Sequence, residues 1–249
     1  MTQRARFPAR LQAGAAPAVA RRPAGPVAGV SAQGLGLDSQ TVRARMVERL
    51  AAQGVADSLV LGAIGRIERH RFVDSALATQ AYEDTSLPIG LGQTISKPSV
   101  VARMIELLRN GASGPLGRVL EIGTGCGYQA AVLSLLAREV YSIERLRGLH
   151  ERARGNLRPL RLANVHLLLG DGMAGYAAGA PYAAIIAAAG GEALPQAWSD
   201  QLAEGGRIVA PSVMEGGRQA LVVIDRTAQG LKKTVLEAVH FVPLKSGIA

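Results

Sequence analysis

The sequence predicts an α/β fold built on a mostly parallel seven-stranded sheet, with an N-terminal helical preface and a C-terminal antiparallel hairpin. From residue 118 onward, short aliphatic runs alternate with Ala- and Leu-rich segments, which is typical of parallel strands joined by helices. The first run leads into a glycine-rich turn at residues 123–127, as a strand does when it passes through a tight loop into a helix. Near the end, two aliphatic runs flank a short polar segment, which predicts a hairpin at the sheet edge.

The first 37 residues are predicted to be a basic, disordered extension. Residues 1–30 contain five arginines and no acid, and they are rich in Ala, Gly and Pro, so they bury too little apolar surface to offset the entropy of ordering. They contain no continuous apolar run, so we expect no secretory signal, although an organellar transit peptide stays an alternative. The remaining chain is predicted to be one domain, with a helical preface and substrate loop over residues 38–117 and the α/β core over residues 118–249.

Two helices are predicted in the preface. The first should begin near Asp38 and Ser39, which are good N-caps, because Val42, Met46 and Leu50 then share one helical face. A second helix is predicted after Asp57.

Residues 84–98 are rich in Gly, Pro, Ser and Thr, which predicts an irregular loop. Pro98 is well placed to open a helix, and Asn110 and Gly111 are expected to end it.

The core strands are predicted from the aliphatic runs and the helices from the segments between them. The strands lie over residues 118–122, 139–143, 165–169, 182–188, 207–211, 220–224 and 234–242. The helices lie near residues 128–137, 146–157 and 194–202.

The glycine-rich turn has the composition of a ligand site. Glycines let the backbone approach a bound molecule, and the start of a helix offers unpaired N–H groups. The second aliphatic run ends at Glu144, where a carboxylate can accept hydrogen bonds from the two hydroxyls of a ribose. A dinucleotide fingerprint requires a third glycine where Tyr128 stands, so NAD is disfavoured. A turn that serves packing alone stays an alternative.

Glu121 before the turn, the E-x-G-x-G-x-G spacing and Glu144 are similar instead to the S-adenosylmethionine (AdoMet) site of Rossmann-like methyltransferases. Asp171, between two glycines after the third strand, lies at the same sheet edge and is a candidate acceptor for an adenine amino group. The alternative for Asp171 is an ordinary Asp-Gly turn.

Composition excludes several classes of protein. No run approaches the roughly 18 apolar residues of a membrane span. The single cysteine, Cys126, excludes an internal disulfide framework, and its place between glycines favours a small filler over a reactive thiol. The four histidines are scattered, so no metal site is expected. The net charge of +9 suggests a nucleic-acid partner, but five of these charges lie in residues 1–30 and the aromatic content is only 4%, which disfavours it.

The motifs that the chain lacks disfavour some classes of methyl acceptor. Residues 187–191 read Ala-Ala-Ala-Gly-Gly, whereas enzymes that methylate exocyclic amines usually have an Asn/Asp-Pro-Pro-aromatic turn there. Attack by a pyrimidine carbon needs a cysteine, and Cys126 is committed to the cofactor loop. A carboxylate, with a pKa of about 4, is already a nucleophile at neutral pH and needs only hydrogen-bond donors to hold it. Residues 87–98 supply such amides and hydroxyls.

Longer motifs resemble those of the protein-L-isoaspartate O-methyltransferase family. They are L-P-I-G-x-G-Q-T-I-S-x-P, V-L-E-I-G-T-G-x-G-Y-Q, S-I-E-R, G-D-G, E-G-G-R and F-V-P-L, and they occur in unbroken order from Ser39 to the C-terminus. The resemblance implies a Rossmann-like methyltransferase fold and transfer of a methyl group from AdoMet to the α-carboxylate of L-isoaspartyl residues. The products are S-adenosylhomocysteine (AdoHcy) and an ester that collapses to a succinimide, and no metal is involved.

The resemblance also implies a set of site residues. Ser96 corresponds to the serine that orients the acceptor carboxylate. The substrate-binding residues are Leu87, Pro88, Ile89, Gln93, Thr94 and Ile95. The cofactor-binding residues are Glu121, Gly123, Thr124, Gly125, Gly127, Glu144, Asp171 and Gly172. Leu91 stands where the family often has a polar residue, and Ala188 stands where it commonly has a threonine. These differences affect a secondary contact with the substrate rather than the reaction itself.

The expected partners are isoaspartyl-containing peptides and proteins, with no specific nucleic acid and no membrane. We expect a cytoplasmic monomer. Two alternatives stay open: a methyltransferase acting on RNA or a small molecule, and a non-catalytic basic protein that binds nucleic acid.

Overall fold

The structure is a computed structural model and describes residues 40–249. The predicted disordered extension over residues 1–37 and the predicted helix start at Asp38 and Ser39 lie outside the described residues.

Two helices form the preface, as predicted. Helix α1 spans Gln40–Ala52 and helix α2 spans Ser58–Arg66. The Asp57 carboxylate caps α2 by accepting from the backbone N–H groups of Leu59 at 2.9 Å and Val60 at 3.2 Å, which satisfies two donors of the first turn.

The segment before the first core strand is more regular than predicted. After two 3₁₀ turns, Arg69–Phe72 and Ser75–Gln80, strands β1 (Leu87–Gly90) and β2 (Gln93–Ile95) form an antiparallel hairpin. The prediction of an irregular loop over residues 84–98 is therefore wrong. Its glycines lie at the hairpin turn, where Gly90 and Gly92 have φ of 88° and 69°, and local composition does not reveal that the flanking residues pair.

Helix α3, Pro98–Arg109, begins at the predicted proline. It ends at Asn110, which adopts the left-handed conformation with φ of 47°, as expected for a residue that stops a helix.

The main sheet has seven strands: β3 Leu116–Ile122, β4 Ala137–Glu144, β5 Val165–Leu169, β6 Tyr182–Ala187, β7 Leu202–Val213, β8 Gln219–Thr227 and β9 Gly230–Val239. Their order across the sheet is β5-β4-β3-β6-β7-β8-β9. The first five in this order are parallel, whereas β8 is antiparallel to both β7 and β9. The chain runs outward from β3 to β4 and β5 on one side and resumes with β6 on the other. The carboxyl end of β3 therefore lies at a switch point, where open α/β sheets bind ligands.

Three helices connect the core strands: α4 (Tyr128–Ser134), α5 (Arg147–Leu157) and α6 (Gln196–Gln201). Helix α4 is shorter than the predicted residues 128–137, because β4 already begins at Ala137, opposite Leu116. Strand β7 begins at Leu202, five residues before the predicted start at residue 207. The last strand ends at Val239 rather than at residue 242.

Apolar residues cover both faces of the sheet. Neighbouring residues of β6 point to opposite faces: Ile186 belongs to the cluster that packs under α3 and α4, and Ile185 belongs to the cluster around Trp198. Within residues 40–249, the helices are all too short or too polar to cross a membrane.

Candidate active site

The loop over residues 123–127 joins the end of β3 to the start of α4. Gly123 and Gly125 have positive φ, 90° and 57°. A Cβ at Gly125 would lie 3.2 Å from Cδ1 of Ile89 in the hairpin, and one at Gly123 would lie 3.5 Å from Cβ of Ala188. A side chain at Gly125 would therefore strain the backbone and press against the hairpin.

Glu144 lies at the end of β4 beside this loop and is 5% exposed. Its Oε2 accepts from the N–H of Gly125 at 2.8 Å, and its Oε1 accepts from the N–H of Leu146 at 2.9 Å. Because a carboxylate has about four acceptor sites, each oxygen can accept a further hydrogen bond. Glu144 is therefore held in place by the backbone and still able to receive hydroxyl donors.

Glu121 lies beneath the loop and is fully buried. Its carboxyl accepts from the hydroxyl of Ser142, whose oxygen is also 2.6 Å from the hydroxyl of Thr124. Burial raises the pKa of Glu121 to about 8, the Ser142 hydrogen bond opposes the rise, and the nearby charge of Glu144 adds to it. This chain of hydrogen bonds ties the loop to β4 from behind.

Asp171 lies between β5 and a short 3₁₀ turn. Its Oδ1 accepts from the N–H of Met173 at 2.8 Å, and its Oδ2 accepts from the N–H of Gly247 at 2.7 Å. The adjoining Gly172 packs directly against β3, since a Cβ there would lie 2.6 Å from Cγ2 of Ile122. Only a glycine fits at this position without displacing the Ile122 side chain.

A cleft of about 450 Å³ lies above the carboxyl ends of β3 and β4. One wall is the loop and Glu144, and the opposite wall is the hairpin. The predicted site residues that line the cleft are Ile89, Gln93, Thr94, Gly123, Gly125, Glu144 and Gly172. The fold therefore brings the predicted substrate segment and the predicted cofactor segment to one cavity.

Ser96 follows β2 and borders a second, smaller cavity of about 40 Å³. This cavity shares Thr94, Gly123 and Gly125 with the cleft, so the two spaces are neighbours. Within the described part of the chain, the Ser96 hydroxyl makes no hydrogen bond, whereas its backbone carbonyl accepts from Arg69 at 2.7 Å. The hydroxyl is thus available to a ligand.

Of the other predicted residues, some line the small cavity and the rest line neither cavity. Ile95 and Thr124 line the small cavity. Five predicted residues line neither cavity: Leu87, Pro88, Glu121, Gly127 and Asp171. Of these, Gly127 serves packing, because a Cβ there would lie 3.1 Å from Cγ of Leu157 in α5.

Sequence reasoning assigned no role to several residues around the cavities. Val242 and Leu244 line the cleft, where Gly190 donates to the carbonyl of Val242 at 2.9 Å and accepts from Leu244 at 2.8 Å. The F-V-P-L motif in this stretch contributes to the family resemblance, but it does not by itself indicate a function. Arg69 and the side chains of Tyr128 and Gln129 were also missed, because buried polar groups leave no local pattern.

Cys126 lines the small cavity and is 3% exposed. Burial raises the pKa of its thiol, which favours the small-filler interpretation over a reactive thiolate. Among residues 40–249, no three His, Cys, Asp or Glu side chains gather closely enough to hold a metal ion.

Comparison with known proteins gives consistent matches. The family model for protein-L-isoaspartate(D-aspartate) O-methyltransferase matches residues 41–249. The protein-L-isoaspartate O-methyltransferase of Methylibium petroleiphilum is 63% identical over 222 residues, which are 88% of this chain and 82% of that protein. The one from Leptothrix cholodnii is 64% identical over 217 residues, which are 86% of this chain and 77% of that protein.

Solved structures agree with the fold. A protein-L-isoaspartate O-methyltransferase superposes with a TM-score of 0.75 at 30% identity, covering 83% of this chain and 67% of the other. A putative member from Plasmodium falciparum, in complex with S-adenosyl-L-homocysteine, superposes with a TM-score of 0.71 at 25% identity, covering 81% of this chain and 97% of the other. The predicted Rossmann-like methyltransferase fold is confirmed.

Proposed function

The chain belongs to the protein-L-isoaspartate(D-aspartate) O-methyltransferase family, and from that premise we propose how its residues divide the work. The reaction transfers the methyl group of AdoMet to the α-carboxylate of L-isoaspartyl residues in damaged proteins, and the ester leads to repair through a succinimide. When bound, AdoMet supplies a methyl group carried on a positively charged sulfur. The chain has to bind the cofactor, hold the carboxylate and exclude water.

The residues at the ends of β3 and β4 fit AdoMet. Gly123 and Gly125 form a cradle that side chains would fill, and Glu144 is held by two backbone N–H groups with acceptor sites to spare for ribose hydroxyls. We assign cofactor binding to Gly123, Thr124, Gly125, Glu144 and Gly172. Glu121, Gly127 and Asp171 line neither cavity, and they would assist cofactor binding by holding the residues beside them.

The hairpin is proposed to hold the acceptor. Ile89, Gln93, Thr94 and Ile95 border the cavities, and Leu87 and Pro88 shape the strand that carries them. The Ser96 hydroxyl would donate to the acceptor carboxylate and orient it, and no base is needed because a carboxylate with a pKa of about 4 is ionised at neutral pH. Held in line with the methyl group, the carboxylate reacts without the entropy cost of a chance encounter.

One observation supports this assignment more than any other. The same small cavity is bordered by Ser96 from the hairpin and by Gly123 and Gly125 from the cofactor loop. A donor for the acceptor carboxylate and the backbone that would hold the cofactor therefore meet at one space, although Gly123 comes 27 positions after Ser96 along the chain.

The direct test uses labelled AdoMet and two peptides that differ only in Asp against isoAsp. We expect base-labile label on the isoAsp peptide alone, because methyl esters hydrolyse in base and a normal Asp side chain presents the carboxylate differently. Label on neither peptide, or label on added RNA, would contradict the proposal.

Ser96→Ala tests the assigned donor. We expect kcat/KM for the isoAsp peptide to fall about 100-fold, with the AdoHcy dissociation constant changed by less than about twofold, because the hydroxyl faces the acceptor rather than the cofactor. Steady-state kinetics and calorimetry measure the two quantities. The matched control is Ser86→Ala, an exposed serine just before β1, which should leave both unchanged. Wild-type turnover in Ser96→Ala would remove this serine from the catalytic assignment.

Further proposals concern partners and organisation. We propose that the enzyme works as a cytoplasmic monomer on isoaspartyl peptides and proteins without nucleic acid or membrane, and that residues 38–249 suffice for catalysis. The single, buried cysteine supports a reducing compartment. Analytical ultracentrifugation at micromolar concentration tests the monomer, and a dimer in which each cleft needs its partner would contradict it.

A further inference from the structure

Arg69 is a buried cation that makes no direct ion pair. It is 0% exposed, in the 3₁₀ turn Arg69–Phe72 that precedes the hairpin. Within the described residues no carboxylate forms an ion pair with it, and its Nη1 has no hydrogen-bond partner. Arg109, also buried, is different because its Nε lies 2.7 Å from the carboxylate of Asp57. The charge of Asp84 acts on Arg69 without a direct ion pair. A buried charge that is not directly paired is costly to keep, so Arg69 calls for a functional explanation.

The guanidinium of Arg69 contacts three segments, and two of them border the active site. Its Nε donates to the carbonyl of Ala81 at 2.9 Å, and its Nη2 donates to the carbonyl of Ser96 at 2.7 Å. Its central carbon lies 4.9 Å from the ring centroid of Tyr128, a cation–π distance. Ser96 follows the hairpin, and Tyr128 is the first residue after the cofactor loop. Arg69 therefore links the acceptor side of the site to the cofactor side.

We propose that Arg69 is a positioning residue, which fixes the backbone of Ser96 at a set distance from the cofactor loop. The inference rests on the proposed role of Ser96. A carbonyl held by a charged donor fixes the orientation of its peptide plane, and with it the direction in which the Ser96 side chain leaves the backbone. Through its contact with the Tyr128 ring, the Arg69 guanidinium also packs against the first residue of α4.

Two effects of removing Arg69 can be separated by kinetics. Loss of positioning spoils the in-line geometry, so kcat falls while substrate still binds. Loss of charge alone would act differently: a nearby cation attracts an ionised carboxylate but attracts it less as the carboxylate becomes a neutral ester. That loss would raise KM without lowering kcat.

The test compares Arg69→Met, which keeps the length and removes the donors, with Arg69→Lys, which keeps the charge and one donor group. Arg109→Met is the matched control, because it removes another buried guanidinium. Arg109 is the last residue of α3, whereas Ser96 lies just before its start, and Arg109 lines neither cavity. Each protein is assayed well below its Tm, with the folded fraction checked by circular dichroism, and AdoHcy binding is measured by calorimetry.

We expect Arg69→Met to lower kcat by about 30-fold, with changes of less than about threefold in KM and about twofold in the AdoHcy dissociation constant. Arg69→Lys should recover part of kcat but stay at least about threefold below wild type. Arg109→Met should lower Tm and leave kcat within about twofold.

A folded Arg69→Met with wild-type kcat, or with only KM raised, overturns the inference. If that variant does not fold, Arg69→Lys decides: a fall in kcat of about threefold or more supports the inference and a smaller change overturns it. Failure of the proposed function is recognised separately, because wild-type protein would then leave the isoAsp peptide unlabelled or Ser96→Ala would keep full turnover.

Discussion

The acidic side chains of the site are held by backbone N–H groups. Glu144 accepts from Gly125 and Leu146, and Asp171 accepts from Met173 and Gly247. Such bonds fix each carboxylate before a ligand arrives, which lowers the entropy cost of binding. At this scale, the backbone orients the carboxylates of the site.

Glu121 gives a pH-dependent prediction. In the folded protein its pKa is raised by burial from 4.5 to about 8, so between these values the folded state binds a proton that the unfolded state has lost. The free energy of unfolding contributed by this group is therefore fully present below pH 4.5 and is lost as the pH rises to about 8. The total loss is at most about 5 kcal/mol.

Glu121→Gln should remove this dependence, since an amide does not titrate. We expect the Tm of Glu121→Gln, relative to wild type, to increase between pH 5 and pH 9, measured by calorimetry without cofactor. Glu151→Gln changes the same atoms on the exposed side of α5 and serves as the control. A Tm difference for Glu121→Gln that stays constant across this range would contradict the raised pKa.

At the scale of elements, the site depends on contact between the hairpin and the cofactor loop. Ile89 of β1 packs at the position where a side chain on Gly125 would project. The hairpin and the loop are thus in contact at the edge of the cavity, and each limits the space available to the other.

Gly125→Ala tests this contact. The new Cβ would lie 3.2 Å from Cδ1 of Ile89 on a backbone with φ of 57°, so the Ile89 side chain has to move slightly and the alanine has to adopt a strained conformation. We expect the AdoHcy dissociation constant to rise about tenfold and Tm to fall by a few degrees, because the left-handed conformation costs an alanine about 1 kcal/mol.

The control for this variant is Gly155→Ala in α5, where a Cβ would meet nothing within 4 Å. It should raise stability by about 1 kcal/mol, as expected for alanine in a helix interior, and leave AdoHcy binding unchanged. Tight AdoHcy binding by Gly125→Ala would show that the hairpin does not limit the loop.

At the scale of the whole molecule, the final residues cover one side of the cleft. Gly247 donates to Asp171, Ala249 donates to the carbonyl of Arg145 at 2.9 Å, and Arg147 donates to the carbonyl of Ala249 at 2.8 Å. The last five residues are thereby tied to the segments that follow β4 and β5. These bonds hold the end of the chain beside residues 242–245, which line the cleft.

Deletion of residues 1–30 is predicted to leave catalysis intact. These residues hold five of the nine net positive charges, and the proposed cofactor and acceptor sites are built from residues 69–249. We expect kcat/KM for the isoAsp peptide and the AdoHcy dissociation constant to stay within about twofold of the full chain. A large fall in kcat/KM or a large rise in the dissociation constant, in a well-folded deletion variant, would show that the extension contributes to catalysis or binding.

The sequence by itself determined the α/β class, the strand-loop-helix unit at residues 118–131, the role of Pro98 and Asn110 as helix ends, and the family. These features depend on the properties of residues close together in the chain, such as aliphatic alternation, glycine at a tight turn and the fixed φ of proline. Strand ends were less accurate, as at β7, because pairing with a neighbouring strand extends an element beyond its own signals.

Only the tertiary structure decided which distant groups meet. It paired Leu87 with Ile95, placed Ser96 and Gly125 at one cavity, and buried Arg69 between Ser96 and Tyr128. It also placed Glu121 and Asp171 outside the linings of both cavities. Such contacts depend on how complete elements pack, and the free energy of that packing is shared among residues far apart in the chain, so no local pattern encodes it.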